Sequence, residues 1–124
     1  MKVKTTIEFK KHYIYVRRFQ NAKLDEIEDI WRQITAACEQ HNCYNILVES
    51  FTGNIPVKDR FSSREVYDKA GINHHHRIAW VHHQKESLRD METIESAIKK
   101  LGFINGKLFP NIEKALEWLL KKND

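Results

Sequence analysis

Five of the chain's seven histidines fall between positions 74 and 83, as His74-His75-His76 and His82-His83. Neutral imidazole is the commonest metal ligand, so the cluster raises metal binding first. The intervening residues, Arg77-Ile78-Ala79-Trp80-Val81-His82, have the apolar run of a buried strand. Six residues of strand put His76 and His82 roughly 20 Å apart at about 3.3 Å per residue. Zinc ligands lie about 2 Å from the ion. The two histidine groups therefore mark opposite ends of a sheet, and no shared metal site is expected.

His82 and His83 carry more promise as binding residues. They end a strand, and ligands of open α/β sheets bind beyond the carboxyl ends of strands. A loop running from Ser50 to about Phe61 leaves the sheet at the same edge. Together this edge offers Ser50, Thr52, Asp59, Arg60, His82 and His83 as polar contacts for a ligand or a protein partner. The plain alternative is a set of loop residues that satisfy one another. Serine with histidine suggests nucleophilic catalysis, but no GxSxG elbow is present. No glycine-rich phosphate loop occurs either. No carboxylate pair stands out as acid and base, and no cofactor is expected.

The elements that must position this edge follow from periodicity. Residues 3–9 alternate, with Val3, Thr5, Ile7 and Phe9 on one side, as a half-buried strand does. Residues 12–18 form its partner, with the turn near Lys10-Lys11. Leu24, Ile27, Ile30, Trp31, Ile34 and Cys38 share a helical stripe over 24–41. Tyr44-Asn45-Ile46-Leu47-Val48 suits a central strand covered on both faces. Ser62-Ser63-Arg64-Glu65 has the form of a capping box, and Gly71 can end the helix after it. Leu88, Met91, Ile94, Ile98 and Leu101 give a third helix. Asn105-Gly106 either closes a hairpin or, as preferred here, turns the chain into a short strand at 107–109. Asn111 caps a last helix with Ile112, Ala115, Leu116 and Leu119 on its apolar face. Trp31, Trp80 and Trp118 are expected in or near the core.

The chain has 124 residues, enough for one domain with its own core. Cys38 and Cys43 have neither redox nor zinc spacing and read as structural thiols. No apolar run approaches the roughly 18 residues of a membrane span. The first residues lack a secretory core, so a cytoplasmic location is expected. Net charge is +4, but residues 1–23 alone carry +6. A basic hairpin with Phe9, Tyr13, Tyr15 and Phe19 could attract nucleic acid. A lysine-protected edge strand with a cross-strand aromatic ladder explains it better. Edge strands would also permit a homodimer, though nothing demands one.

The order strand, strand, helix, strand, helix, strand, helix, short strand, helix resembles the STAS domain. More closely, it looks like the bacterial SpoIIAA-like branch, related in architecture to CRAL-TRIO-type lipid carriers. Tyr44-Asn45-Ile46-Leu47-Val48-Glu49, Arg77-Ile78-Ala79-Trp80-Val81, Leu108-Phe109 and Glu113-Lys114-Ala115-Leu116-Glu117-Trp118-Leu119 carry the resemblance. It implies a mixed sheet of four or five strands, an N-terminal antiparallel hairpin and about four helices in one α/β domain, residues 1–124. The Asp-Ser-Ser-Gly phosphorylation motif of the spore-type members is missing; Pro56-Val57-Lys58-Asp59-Arg60 stands in that region. The resemblance thus implies a non-enzymatic interaction or regulatory module with a protein partner. The alternative is a carrier or sensor of a small apolar or lipid-like ligand.

Overall fold

The computed structural model describes residues 5–18, 24–50, 64–82, 96, 99 and 105–121, with the side chains of 24, 25, 50, 64 and 82 outside that description. Five strands and three helices are bounded within it. In chain order they are β1 (Thr5–Phe9), β2 (Ile14–Arg18), α1 (Leu24–His41), β3 (Asn45–Ser50), α2 (Arg64–Ala70), β4 (Arg77–His82), β5 (Asn105–Phe109) and α3 (Ile112–Leu119). Ser96 and Lys99 are also helical, within the third helix expected from sequence; the rest of that segment lies outside the described residues.

The strands form one mixed sheet in the order β1-β2-β3-β4-β5. β1 and β2 are antiparallel, and β2 through β5 are parallel to one another. The antiparallel pair stands at one edge, as the strict alternation of residues 3–9 implied. β3 is central: Ile46, Leu47 and Val48 are all buried. A strand covered on both faces loses its alternation, which is why this run reads as continuously apolar.

Pleating divides the core in two. Ile14, Val16, Ile46, Val48, Ile78 and Trp80 pack against Trp31, Ile34 and Cys38 of α1 and Val66, Tyr67 and Ala70 of α2. On the opposite face Leu47, Ala79, Val81 and Phe109 meet Ala115 and Leu119 of α3. Trp31 and Trp80 are buried, whereas Trp118 is half-buried at the margin of the second core.

Backbone chemistry ends the helices where the residues require it. At the end of α1, Cys43 N–H donates to the Cys38 carbonyl at 2.9 Å and Asn42 N–H to the Glu39 carbonyl at 3.3 Å. Asn42 is left-handed, at φ 48°. α2 ends in the same way: Ile72 N–H donates to Tyr67 at 3.0 Å and Gly71 N–H to Asp68 at 3.1 Å. Both are Schellman motifs, with asparagine and glycine at the left-handed position. A Cβ on Gly71 would meet nothing within 4 Å, so glycine serves its φ of 91° rather than a tight contact. Asn111 caps α3 as expected, its Oδ1 accepting from Lys114 N–H at 2.9 Å.

Two expectations are corrected. Asn105-Gly106 neither closes a hairpin nor turns the chain; both residues lie in β5, paired with Arg77 and Ile78. Glycine is tolerated there because β5 is an outer strand of the sheet, with Gly106 only partly buried. The aromatic side chains of the hairpin do not form a cross-strand ladder. Phe9 stacks on His41 of α1 with ring centroids 4.1 Å apart, whereas Tyr13 and Tyr15 meet each other edge to face and pack against the second core. The antiparallel register pairs Phe9 with Ile14 and Glu8 with Tyr15, which sends Phe9 and Tyr15 to opposite faces of the sheet. Phe19 lies outside the described residues.

Candidate functional site

Because β2, β3 and β4 run parallel, their last residues share one edge. Arg18 pairs with Ser50, and Ser50 pairs with His82. Thr5 of β1 is the partner of Arg18 on its other side. Neighbouring strands are about 4.8 Å apart, so this lateral row spans roughly 15 Å. Ser50 and His82, assigned to one edge from sequence, thus stand next to each other in register. Thr52, Asp59, Arg60 and His83 lie outside the described residues.

Arg18 was not anticipated, yet a signal for it existed. The positions Ile14, Val16 and Arg18 share one side of β2, and the first two are fully buried. Alternation therefore carries the arginine to the core face at the carboxyl edge. Its Nε is shielded from solvent and has no hydrogen-bond partner. Burial pushes the guanidinium below its ordinary pKa, partly opposed by the nearby Tyr67 phenol of α2. Among the described residues no carboxylate pairs with it.

The contrast with the neighbouring cations is instructive. Arg17 points to the opposite face, where its Nε lies 3.9 Å from Oε1 of Glu49. Glu49 is buried at 4% exposure, and the Tyr15 hydroxyl donates to its carboxylate. Burial, followed by the Glu49 hydrogen bond and charge, pushes the Tyr15 phenol up to about 12. Tyr15 therefore stays protonated and keeps its donor role throughout the physiological range. This Tyr15–Glu49–Arg17 group was also missed from sequence, although a glutamate ending an otherwise apolar central strand was its visible sign. Arg77 reaches backbone carbonyls through its Nη atoms, with Nη2 donating to Trp118 at 2.7 Å, while its Nε is shielded and without a hydrogen bond.

The other histidines lie at the amino end of β4, opposite His82. His74 and His75 are exposed and in mutual contact, with ring centroids 4.1 Å apart. His76 is buried and packs edge-on against Tyr44. Thr35, Glu39, Tyr44, Gly71, His75 and His76 border a cavity of about 470 Å³ there. Among the described residues no group of three or more histidine, cysteine, aspartate or glutamate side chains could hold a metal. Cys38 is buried and Cys43 half-buried, both as free thiols; burial raises the Cys38 thiol to about 12, so it is not a nucleophile at neutral pH.

His76 gives the fold a defined pH dependence. Its Nδ1 accepts the Asn73 N–H at 3.2 Å, which requires that nitrogen to be unprotonated. Burial is the main force holding its pKa below 6.5, opposed by a backbone hydrogen bond at Asn73; the neighbouring His75 acts with burial and Glu39 against it. The unfolded chain then takes up the proton first as pH falls. The stability from neutral His76 is complete above the unfolded value and is lost as pH drops through the interval down to the folded value. Urea midpoints compared at about pH 7.5 and about pH 5.5 should fall on acidification, and His76→Gln should flatten that dependence. An equal slope in the variant would place the acid sensitivity elsewhere.

Fold and edge together define a class: an α/β domain with a mixed five-stranded sheet and a polar row at the carboxyl ends of its parallel strands. No family model, no curated protein and no solved structure matches this chain. Among the described residues no helix is long and apolar enough to cross a membrane.

Proposed function

We propose that this chain is a non-enzymatic, STAS-like interaction or regulatory module of the cytoplasm, and that it binds a protein partner at the carboxyl edge of its sheet. The lateral row Arg18–Ser50–His82 carries the reading. It gathers a cation, a hydroxyl-bearing residue and a histidine at the edge where open α/β sheets place their ligands. The element order supports the STAS-like assignment, as does a sheet whose strands follow one another in sequence with an antiparallel pair at one edge.

The test is quantitative capture from the native cell extract with His82→Ala and Ser50→Ala beside the parent domain. A partner held by the parent should be retained at least about tenfold less by His82→Ala, the equivalent of about 1.4 kcal/mol. Far-ultraviolet circular dichroism should match the parent, so that a loss of capture reports a lost contact rather than a lost fold. Equal capture by parent and both variants would remove the site from this edge.

A further inference from the structure

Arginine with a buried, unbonded nitrogen at a sheet's carboxyl edge is chemically unfinished. A guanidinium presents five N–H donors in a planar fork and cannot be neutralised by losing a proton at ordinary pH. Buried donors are nearly always paired, so an exception calls for a reason. The Nε atoms of Arg17 and Arg77 are likewise shielded and without a hydrogen bond, but each of those guanidinium groups has an acceptor elsewhere: Glu49 at 3.9 Å for Arg17 and the Trp118 and Lys121 carbonyls for Arg77. Arg18 has neither a carboxylate nor a carbonyl among the described residues, and its Nε is shielded from water. The strand alternation that buries Ile14 and Val16 sets Arg18, half-buried, on the face that α1 and α2 cover, within the electrostatic influence of Tyr67. Thr5 and Ser50 stand beside Arg18 in the register, His82 stands one strand further on, and no acid stands in the row.

We infer that Arg18 is the anchor of an oxyanion site, taking a carboxylate or a phosphate group presented by the docking partner. The inference rests on the interaction reading above and gives it a chemistry. An oxyanion matches the guanidinium fork in shape and supplies the acceptors that Arg18 lacks. A group in the sheet's outer row is within reach of a partner at the edge, while burial on the α2 side lowers the local dielectric and strengthens the pairing. Carboxylate and phosphate share this recognition chemistry; they correspond to an acidic and a phosphorylated side chain.

The experiment is a proton–nitrogen NMR titration of the full chain, following the Arg18 Nε–H signal and the Ser50 and His82 amides. Sodium phosphate and sodium acetate are the two probes, and sodium chloride at matched ionic strength is the control. Saturable shifts with phosphate or acetate, absent with chloride, are expected. The stronger probe assigns the phosphate or the carboxylate arm. Arg18→Gln should abolish saturation at Ser50 and His82, Arg18→Lys should weaken binding about tenfold for want of the fork, and Arg17→Gln should leave it intact. Shifts that never saturate, or that chloride reproduces, would overturn the site. Should Arg18→Gln fail to fold, the parent titration with its chloride control decides alone. The two readings fail separately. Partner capture lost in His82→Ala together with an unsaturable Arg18 signal overturns the oxyanion site and leaves the interaction module. A saturable Arg18 signal with capture unchanged supports the oxyanion site and overturns the proposed partner surface.

Discussion

Trp31→Ala is expected to lower the unfolding free energy by about 3–5 kcal/mol, the range for deleting a buried aromatic side chain. Trp31 is 4% exposed, at the centre of the stripe by which α1 covers the sheet. Its ring meets Tyr67 of α2 edge to face, with centroids 4.9 Å apart and planes 66° apart. Such a pair contributes about 0.5–1.5 kcal/mol beyond the area it buries. Removing the indole opens a cavity between two helices and two strands that cannot collapse together. The loss would be a large part of the roughly 5–15 kcal/mol by which domains are stable. Urea unfolding followed by circular dichroism measures it, and Trp31→Phe should recover more than half. A midpoint within error of the parent would mean that α1 and α2 do not share this contact in solution. Tyr67 also neighbours Arg18, so the damage should reach the carboxyl edge and broaden the Arg18 Nε–H signal.

Periodicity in this chain reported burial, and burial is what most of the fold obeys. α1 runs over residues 24–41 and β4 over 77–82, both at the bounds expected from sequence. Each pattern there arises from one local period against one covered face. Asn111 was legible as a cap because its partner, Lys114 N–H, lies only three residues away. β5 was misjudged at its start because Asn-Gly has a strong local preference for turns, which parallel pairing to β4 overrides. The same limit governs the site. Ser50 and His82 were placed at one edge because each ends an apolar run, but their adjacency depends on the register of two strands 32 positions apart. Arg18 sits at the end of an alternating segment whose next residues break the pattern, so its parity was readable and its lack of a partner was not. A missing acceptor is a property of the assembled surroundings, which no local window contains.

Arg77→Ala should cost about 2–3 kcal/mol and act on α3 rather than on β4. α3 has no basic residue in its last turn to offset the negative end of its dipole. Arg77 supplies that charge from the sheet. Nη2 donates to the Trp118 carbonyl at 2.7 Å, Nη1 reaches the Lys121 carbonyl at 3.4 Å, and the guanidinium carbon lies 4.4 Å from the Trp118 ring centroid. A hydrogen bond to a charged group contributes about 1.5–3 kcal/mol, and stacking on an indole about 0.5–2 kcal/mol. The longer contact adds little, and Arg77 is half-buried, which tempers both contributions. Lysine keeps the charge but cannot stack while donating to two carbonyls, so Arg77→Lys should recover less than half the loss. Amide hydrogen exchange locates the effect: protection should fall in residues 116–121 of the Arg77→Ala variant and hold in α1. Uniform loss across both helices would instead make Arg77 a determinant of global stability. The distinction bears on the sheet itself, because α3 alone among the bounded helices covers Leu47, Ala79 and Val81. A helix held at its carboxyl end by one arginine couples the order of that face to a residue in the strand that ends at His82.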